Sequence, residues 1–354
     1  MKKTSLGERL ENGGVICAEG FLFEVERRGY MASGAFVPEV ALENPAALSA
    51  LHRDFQHAGS DAVQAFTYNG HREKMRVLGK EDLLEPLNRA ALQIAREVAE
   101  LPTDGGEANL VAGNISNTNL WAPDDAKAQK EVRAMFDEMV GWAVDEGADF
   151  IVGETFYYAG EAFCALEAIQ AGGLPAVVTI SPMSGEEMRD GRGIVDTCKE
   201  LAERGADVTG MNCFRGPNTM MPHIRKIRAA VPGHIAALPI TFRTTEEEQT
   251  FFSLKDEDPN CSCPSPHGRP FPTALDPKYV NRYEIRAFAE EAWALGVKYL
   301  GVCCGAAPIH IREVAEAMGR TPPASRYRED MDRHFLYGKH KRIKEHIAEL
   351  GKTA

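Results

Sequence analysis

No stretch of this 354-residue sequence holds the roughly 20 consecutive apolar residues that a membrane-spanning helix needs. The N-terminal MKKTSLGERLENGG also lacks the apolar core of a signal peptide, so the expectation is a cytoplasmic protein without a membrane partner. Positive charge is scarce: 40 Lys and Arg against 52 Asp and Glu leave a net charge of −12. Binding to a phosphate backbone rests on cations displacing counterions, so nucleic acid is not an expected partner. What is present is ordinary globular chemistry, with 44% hydrophobic and 26% charged residues, enough to bury a large core and to argue against disorder. Eight cysteines without a secretory leader read as reduced thiols or metal ligands, not as a disulfide framework.

Short β-rich runs alternate with stretches of helical apolar spacing along the whole chain. Strands are predicted over 14–18, 62–68, 109–116, 149–156, 175–181, 208–214, 234–240 and 299–305. Helices are predicted over 45–58, 80–100, 126–146, 160–171, 193–204, 217–230, 277–295 and 308–318, with Pro217, Pro277 and Pro308 suited to first turns. Eight of each, in strict alternation, predict an α/β fold: a single (β/α)8 barrel over 1–325. Two departures from the rhythm stand out. The stretch 241–276 is long for a connection and reads as a functional loop or lid after strand seven. The basic stretch 326–354 reads as a C-terminal helical tail, packing on a second subunit of a homo-oligomer or across the barrel's base.

In such a barrel the chemistry gathers where strands end, and GMNCF (210–214) and GVCCG (301–305) put cysteines there. Neighbouring side chains on a regular strand face opposite ways, so Cys303 and Cys304 converge only where the strand ends or distorts, which Gly301 and Gly305 permit. With Cys213 they could hold one zinc ion and leave a fourth position open, the pattern of a catalytic site. Buried inert thiols, or a vicinal disulfide between Cys303 and Cys304, are the other readings. Cys261, Cys263 and His267 are a weaker candidate for a second metal, since Cys-Ser-Cys is not a usual zinc spacing. Cys17, Cys164 and Cys198 have no comparable constellation, and His52, His57 and His71 read as surface or capping residues.

Taken together, GMNCFRGP, GVCCGAAPIHIREVAEAM, GGVICAEGFLFEVERRGY and VQAFTYNGHREKM resemble the zinc-dependent homocysteine S-methyltransferase family, in its betaine-homocysteine branch. The resemblance runs from about Gly13 to the tail. It implies that Cys213, Cys303 and Cys304 bind Zn2+, that homocysteine is the methyl acceptor and that a small methylated onium compound is the donor. It places Glu154 in VGETF at the acceptor's ammonium group and makes Gln64, Thr67 and Asn212 residues of the pocket.

Some positions depart from that pattern. Where the family has an aspartate near the first strand, this chain reads Cys17-Ala18-Glu19-Gly20, so Glu19 is one position late; it takes over the acceptor's ammonium contact if the strand end reorganises, whereas a regular strand's alternation would reverse its facing. Thr155 stands where a tyrosine is expected. Phe36 and Asn69 stand where the branch places an aromatic cage, with Tyr68 one residue away, so donors such as dimethylsulfoniopropionate compete with betaine in this reading. A different thiol acceptor, or a binding homologue without turnover, are the alternatives these departures raise.

Overall fold

Runs such as Ala176–Ile180 and Val208–Asn212 are buried along their whole length, which suits parallel strands covered by helices outside and filled inside. The computed structural model, which describes residues 3–101, 107–256, 269–339 and 345–353, shows eight of them. These are β1 (Val15–Ala18), β2 (Ala62–Gln64), β3 (Leu110–Ser116), β4 (Phe150–Phe156), β5 (Ala176–Ile180), β6 (Val208–Asn212), β7 (His234–Leu238) and β8 (Tyr299–Val302). Each pairs in parallel with the next, and β8 returns to β1 with Val15 opposite Tyr299, closing the barrel. Outside it run the eight expected helices, from Pro45–Ala58 to Pro308–Ala317. No helix among the described residues is long and apolar enough to cross a membrane.

The barrel is a packed core, not a pore. Val15, Cys17, Phe150, Val152, Val208, Leu238 and Tyr299 fill it, and the short helix Leu6–Asn12 seats Leu6 and Leu10 against them from below. That floor leaves the strands' C-terminal ends as the open face.

Several boundaries differ from the sequence expectation, for local reasons. Strands β2, β6, β7 and β8 stop two to four residues early, because the following residues leave the sheet; Cys213 and Phe214, at φ 55° and 53°, turn into left-handed backbone. Pro277 lies in a 3-10 turn, Asp276–Lys278, and not in a helix's first turn. The helix begins at Arg282, where Asn281 and Glu284 form a reciprocal capping box. The tail is not one helix. It makes 3-10 turns at Pro323–Tyr327 and Met331–Arg333, and becomes helical at Glu345–Thr353. Ion pairs explain this, since Glu329 accepts from Arg282 at 3.0 Å and Tyr283 at 3.1 Å, tying the segment to the barrel's outer helices. After β1 come two helices that no periodicity signalled, Phe21–Arg27 and Val40–Glu43.

Candidate active site

Strand β8 ends at Val302, and Cys303 and Cys304 occupy a turn closed by a hydrogen bond from the Ala306 N–H to the Cys303 carbonyl. Freed from strand alternation, both thiols face Cys213, which follows β6. The Sγ atoms of Cys213 and Cys304 are 3.4 Å apart, and all three sulfurs lie within 4.8 Å of one another. Zn–S bonds of about 2.3 Å in a tetrahedron put sulfurs about 3.8 Å apart, so the donor set fits one zinc ion with small adjustment. Gly305, at φ 85°, completes the turn; a Cβ there would overlap Thr241 and Phe242.

The thiols do not titrate alike. Burial opposes ionisation of Cys213, but hydrogen bonds from Cys303 and Cys304 overcome it and hold this thiol well below its ordinary range. Cys303 is pushed well up by burial and by its negative neighbour. Cys304 is pushed up chiefly through its hydrogen bond to Cys213.

A second group shares Cys303: Glu19, Glu154 and Cys303 also place their ligand atoms within 4.8 Å of one another. Glu19 faces the site because, just past the end of β1, it continues the inward phase of Val15 and Cys17; Ala18, opposite Val302, points outward with Ile16. Gly20 lets the chain pass, since any Cβ there would overlap the Cys303 carbonyl. The Glu154 carboxylate accepts from Asn114 at 2.7 Å, Asn212 at 2.8 Å, Gln64 at 2.9 Å and Thr155 at 3.1 Å. Burial, then the negative Cys213, still raise its pKa to about 7. Glu19 is pushed well above the carboxylate range by burial and by Glu154, and its Oε1 is buried without a hydrogen-bond partner.

Glu19, Gln64, Tyr68, Glu154, Cys213, Cys303 and Cys304 line one cavity of about 10 Å³, space for a single water-sized sphere. Tyr68 faces the cysteines, and Asn117 donates to its hydroxyl at 3.3 Å. Other expected residues sit elsewhere. Thr67 spends its hydroxyl on the Asn114 carbonyl at 2.8 Å and does not line the cavity. Asn69, at φ 62°, donates to the Phe36 carbonyl at 3.1 Å. Phe36 packs on Phe23 with ring centroids 6.2 Å apart, and is also not part of that lining. Asn212 does not line it either; its amide lies behind the carboxylates.

Sequence reasoning missed the aromatic roof. Phe23 packs on Phe242, Phe251 and Phe271, and Phe214 packs on Phe251 and Phe252, forming one apolar cluster with Cys213, Cys303 and Cys304. The signal available was the Phe251-Phe252 pair inside an otherwise polar loop. Cys261, Cys263 and His267 lie outside the described residues. Cys17 and Cys198 are buried singly. His71 caps the helix Arg72–Val77 as expected of a capping residue, whereas His52 is not at the surface but buried edge-on to Phe21 at 5.0 Å.

A closed parallel barrel with three converging thiols at its strand ends defines the class: a barrel enzyme with a cluster of thiols that could hold a metal ion. The chain belongs to the homocysteine S-methyltransferase family, whose profile matches residues 15–318. It is 34% identical to betaine–homocysteine S-methyltransferase 1 of Xenopus tropicalis over 91% of this chain and 78% of that one. It is 33% identical to S-methylmethionine–homocysteine S-methyltransferase BHMT2 of Rattus norvegicus over 96% of this chain and 87% of that one. Among solved structures, the metallated homocysteine methyltransferase MmuM from Escherichia coli aligns with a TM-score of 0.66 at 18% identity, covering 86% of this chain and 96% of that one. At that identity the likeness speaks for the fold alone.

Proposed function

We propose that the protein transfers a methyl group from a small onium donor, betaine or a related methylated ammonium or sulfonium compound, to the thiol of homocysteine, forming methionine. The observation that carries this reading is the shared cavity: three thiols suited to Zn2+ and two buried carboxylates meet at Cys303. Zinc held by Cys213, Cys303 and Cys304 would supply the positive charge that lets the acceptor thiol lose its proton at neutral pH.

The protein's own groups do the rest. Glu19 and Glu154 are two buried acids with one unpartnered oxygen between them, and an ammonium group arriving there restores their charged forms and satisfies that oxygen. This places the acceptor's thiol toward the cysteines. The attacking sulfur then forms a bond to the methyl carbon, while the carbon–nitrogen or carbon–sulfur bond of the donor breaks and its electron pair stays on the departing atom. The departing nitrogen or sulfur is uncharged, so no general acid is needed. The roof of Phe23, Phe242 and Phe251 keeps water from the reacting thiolate, and a cavity this small requires those side chains to part for substrate to enter.

Metal analysis combined with a methionine assay over a panel of thiols and onium donors tests the proposal. Near-stoichiometric zinc, lost with activity in Cys213→Ser, is expected; full activity without zinc, or a thiol other than homocysteine preferred by a wide margin, would overturn it.

A further inference from the structure

The carboxamide of Asn212 touches both halves of the site without lining its cavity. Its Nδ2 lies 2.8 Å from Glu154 Oε2, 2.9 Å from Thr155 Oγ1, 3.2 Å from Glu19 Oε2 and 3.9 Å from Cys303 Sγ. One amide hydrogen thus serves Glu154 and Thr155, while the other points at Glu19 and Cys303. The opposite end is held just as closely: Oδ1 accepts from the Thr155 N–H at 2.9 Å and Thr179 Oγ1 at 2.9 Å, and Ser181 Oγ, 3.1 Å from Oδ1, makes its closer hydrogen bond to the Asn212 backbone carbonyl. Thr179 and Ser181 are two positions apart at the end of β5, so strand periodicity sends both hydroxyls inward to the same residue. With the Thr155 N–H and the Thr179 hydroxyl on one end and two acids on the other, the amide has a single orientation, and it is wholly buried. The Thr155 N–H it accepts belongs to a β-branched residue at φ 63°, an unfavourable backbone that this bond helps to hold.

Resting on the functional reading above, we propose that Asn212 is a positioning residue, oriented by Thr179 and Ser181, that ties the acceptor's carboxylate cradle to the Cys303 metal ligand. It fixes where Glu19 and Glu154 stand relative to Cys303, and its N–H stabilises the Cys303 thiolate from outside the ligand set. Removing such an outer partner of a metal ligand characteristically weakens metal affinity by about 10–100-fold. A residue that merely touched the substrate would leave metal affinity alone.

The test uses the full-length protein and two readouts: Zn2+ affinity by chelator competition, with no substrate present, and the homocysteine KM of the zinc-loaded enzyme. Asn212→Leu keeps the bulk and removes every polar contact; both zinc affinity and homocysteine KM are expected to worsen by about tenfold or more. Thr179→Val with Ser181→Ala keeps the amide but removes the two hydroxyls that hold Asn212, one at its Oδ1 and one at its backbone carbonyl, and is expected to shift both quantities the same way by a smaller factor. If Asn212→Leu does not fold, this double variant decides alone. Zinc affinity within twofold of wild type in the folded variants, whatever happens to KM, overturns the proposal. A wild-type protein that fails to methylate homocysteine would sink the functional reading instead, and the zinc comparison would still decide the role of Asn212.

Discussion

The Sγ atoms of Cys213 and Cys304 stand 3.4 Å apart although 91 positions separate the two residues. Closed barrel topology brings them there, since β6 and β8 both deliver their ends to the same face. Within the cluster, hydrogen bonds from Cys303 and Cys304 lower the Cys213 thiol, while burial raises Cys303 and the bond to Cys213 raises Cys304. A metal binds the deprotonated sulfur, so zinc binding is expected to release protons and the affinity to rise with pH. Chelator competition at several pH values, with proton release followed in weak buffer, measures both. A pH-independent affinity would count against the cysteines as ligands.

Glu154 offers a sharper separation between acceptor binding and metal binding. Its carboxylate accepts four side-chain hydrogen bonds and lies outside the cluster of three thiols proposed to hold zinc. Glu154→Gln removes the charge that would meet an ammonium group and leaves nearby amides without an acceptor. Zinc content should stay close to wild type while kcat/KM for homocysteine falls about 100-fold, roughly 3 kcal/mol, in line with losing a charged buried hydrogen bond. Loss of zinc in this variant would mean that the carboxylate acts on the metal instead.

Much of this architecture was legible in the sequence, and the illegible parts have physical causes. Alternating strand and helix patterns revealed the barrel because each strand buries both faces and each helix buries one. The cysteines were legible because glycines flank them at strand ends. Glu19 was legible as a candidate for the ammonium contact but its facing was not, because only the structure shows that Val15 and Cys17 set the inward phase of β1. Thr179 and Ser181 carried no motif, and their role depends on a register between β5 and β6 that pairs Ile180 with Met211. Phe23 and Phe251 look like ordinary core residues until the loop after β7 folds over the cysteines.

His52 provides a stability prediction away from the chemistry. Its ring is buried against Phe21, its Nε2 has no partner, and burial lowers its pKa from 6.5 to about 3. A folded-state pKa below the unfolded value means that the neutral ring stabilises the fold fully above pH 6.5. This contribution is lost as pH falls toward 3, because the unfolded chain takes up the proton first. By pH 4.5 the loss from this group is about 3 kcal/mol. Urea unfolding of wild type and His52→Leu at pH 7.5 and 4.5 isolates it: the variant should lose less stability on acidification by about that amount. Equal losses in both proteins would show that the ring titrates normally.

Donor recognition turns on which aromatic faces the reacting sulfur. Tyr68 lines the cavity with Cys213 and Glu154, and burial together with those negative neighbours keeps its phenol neutral far above physiological pH. Phe36 packs on Phe23 and Asn69 donates to the Phe36 carbonyl, and neither lines that cavity. A desolvated cation over an aromatic face gains about 2 kcal/mol, and an exposed one about 0.5–1 kcal/mol. Tyr68→Leu is therefore expected to lower kcat/KM for every cationic donor by roughly 30-fold, with Phe36→Ala costing only a few-fold through looser packing. Betaine, dimethylsulfoniopropionate and S-methylmethionine should all show this order, because the ring reads positive charge and not the identity of the onium atom. Steady-state kinetics of both variants with the three donors gives the answer: equal or reversed losses would place the donor against Phe36, and an unchanged Tyr68→Leu would remove the phenol from donor binding altogether.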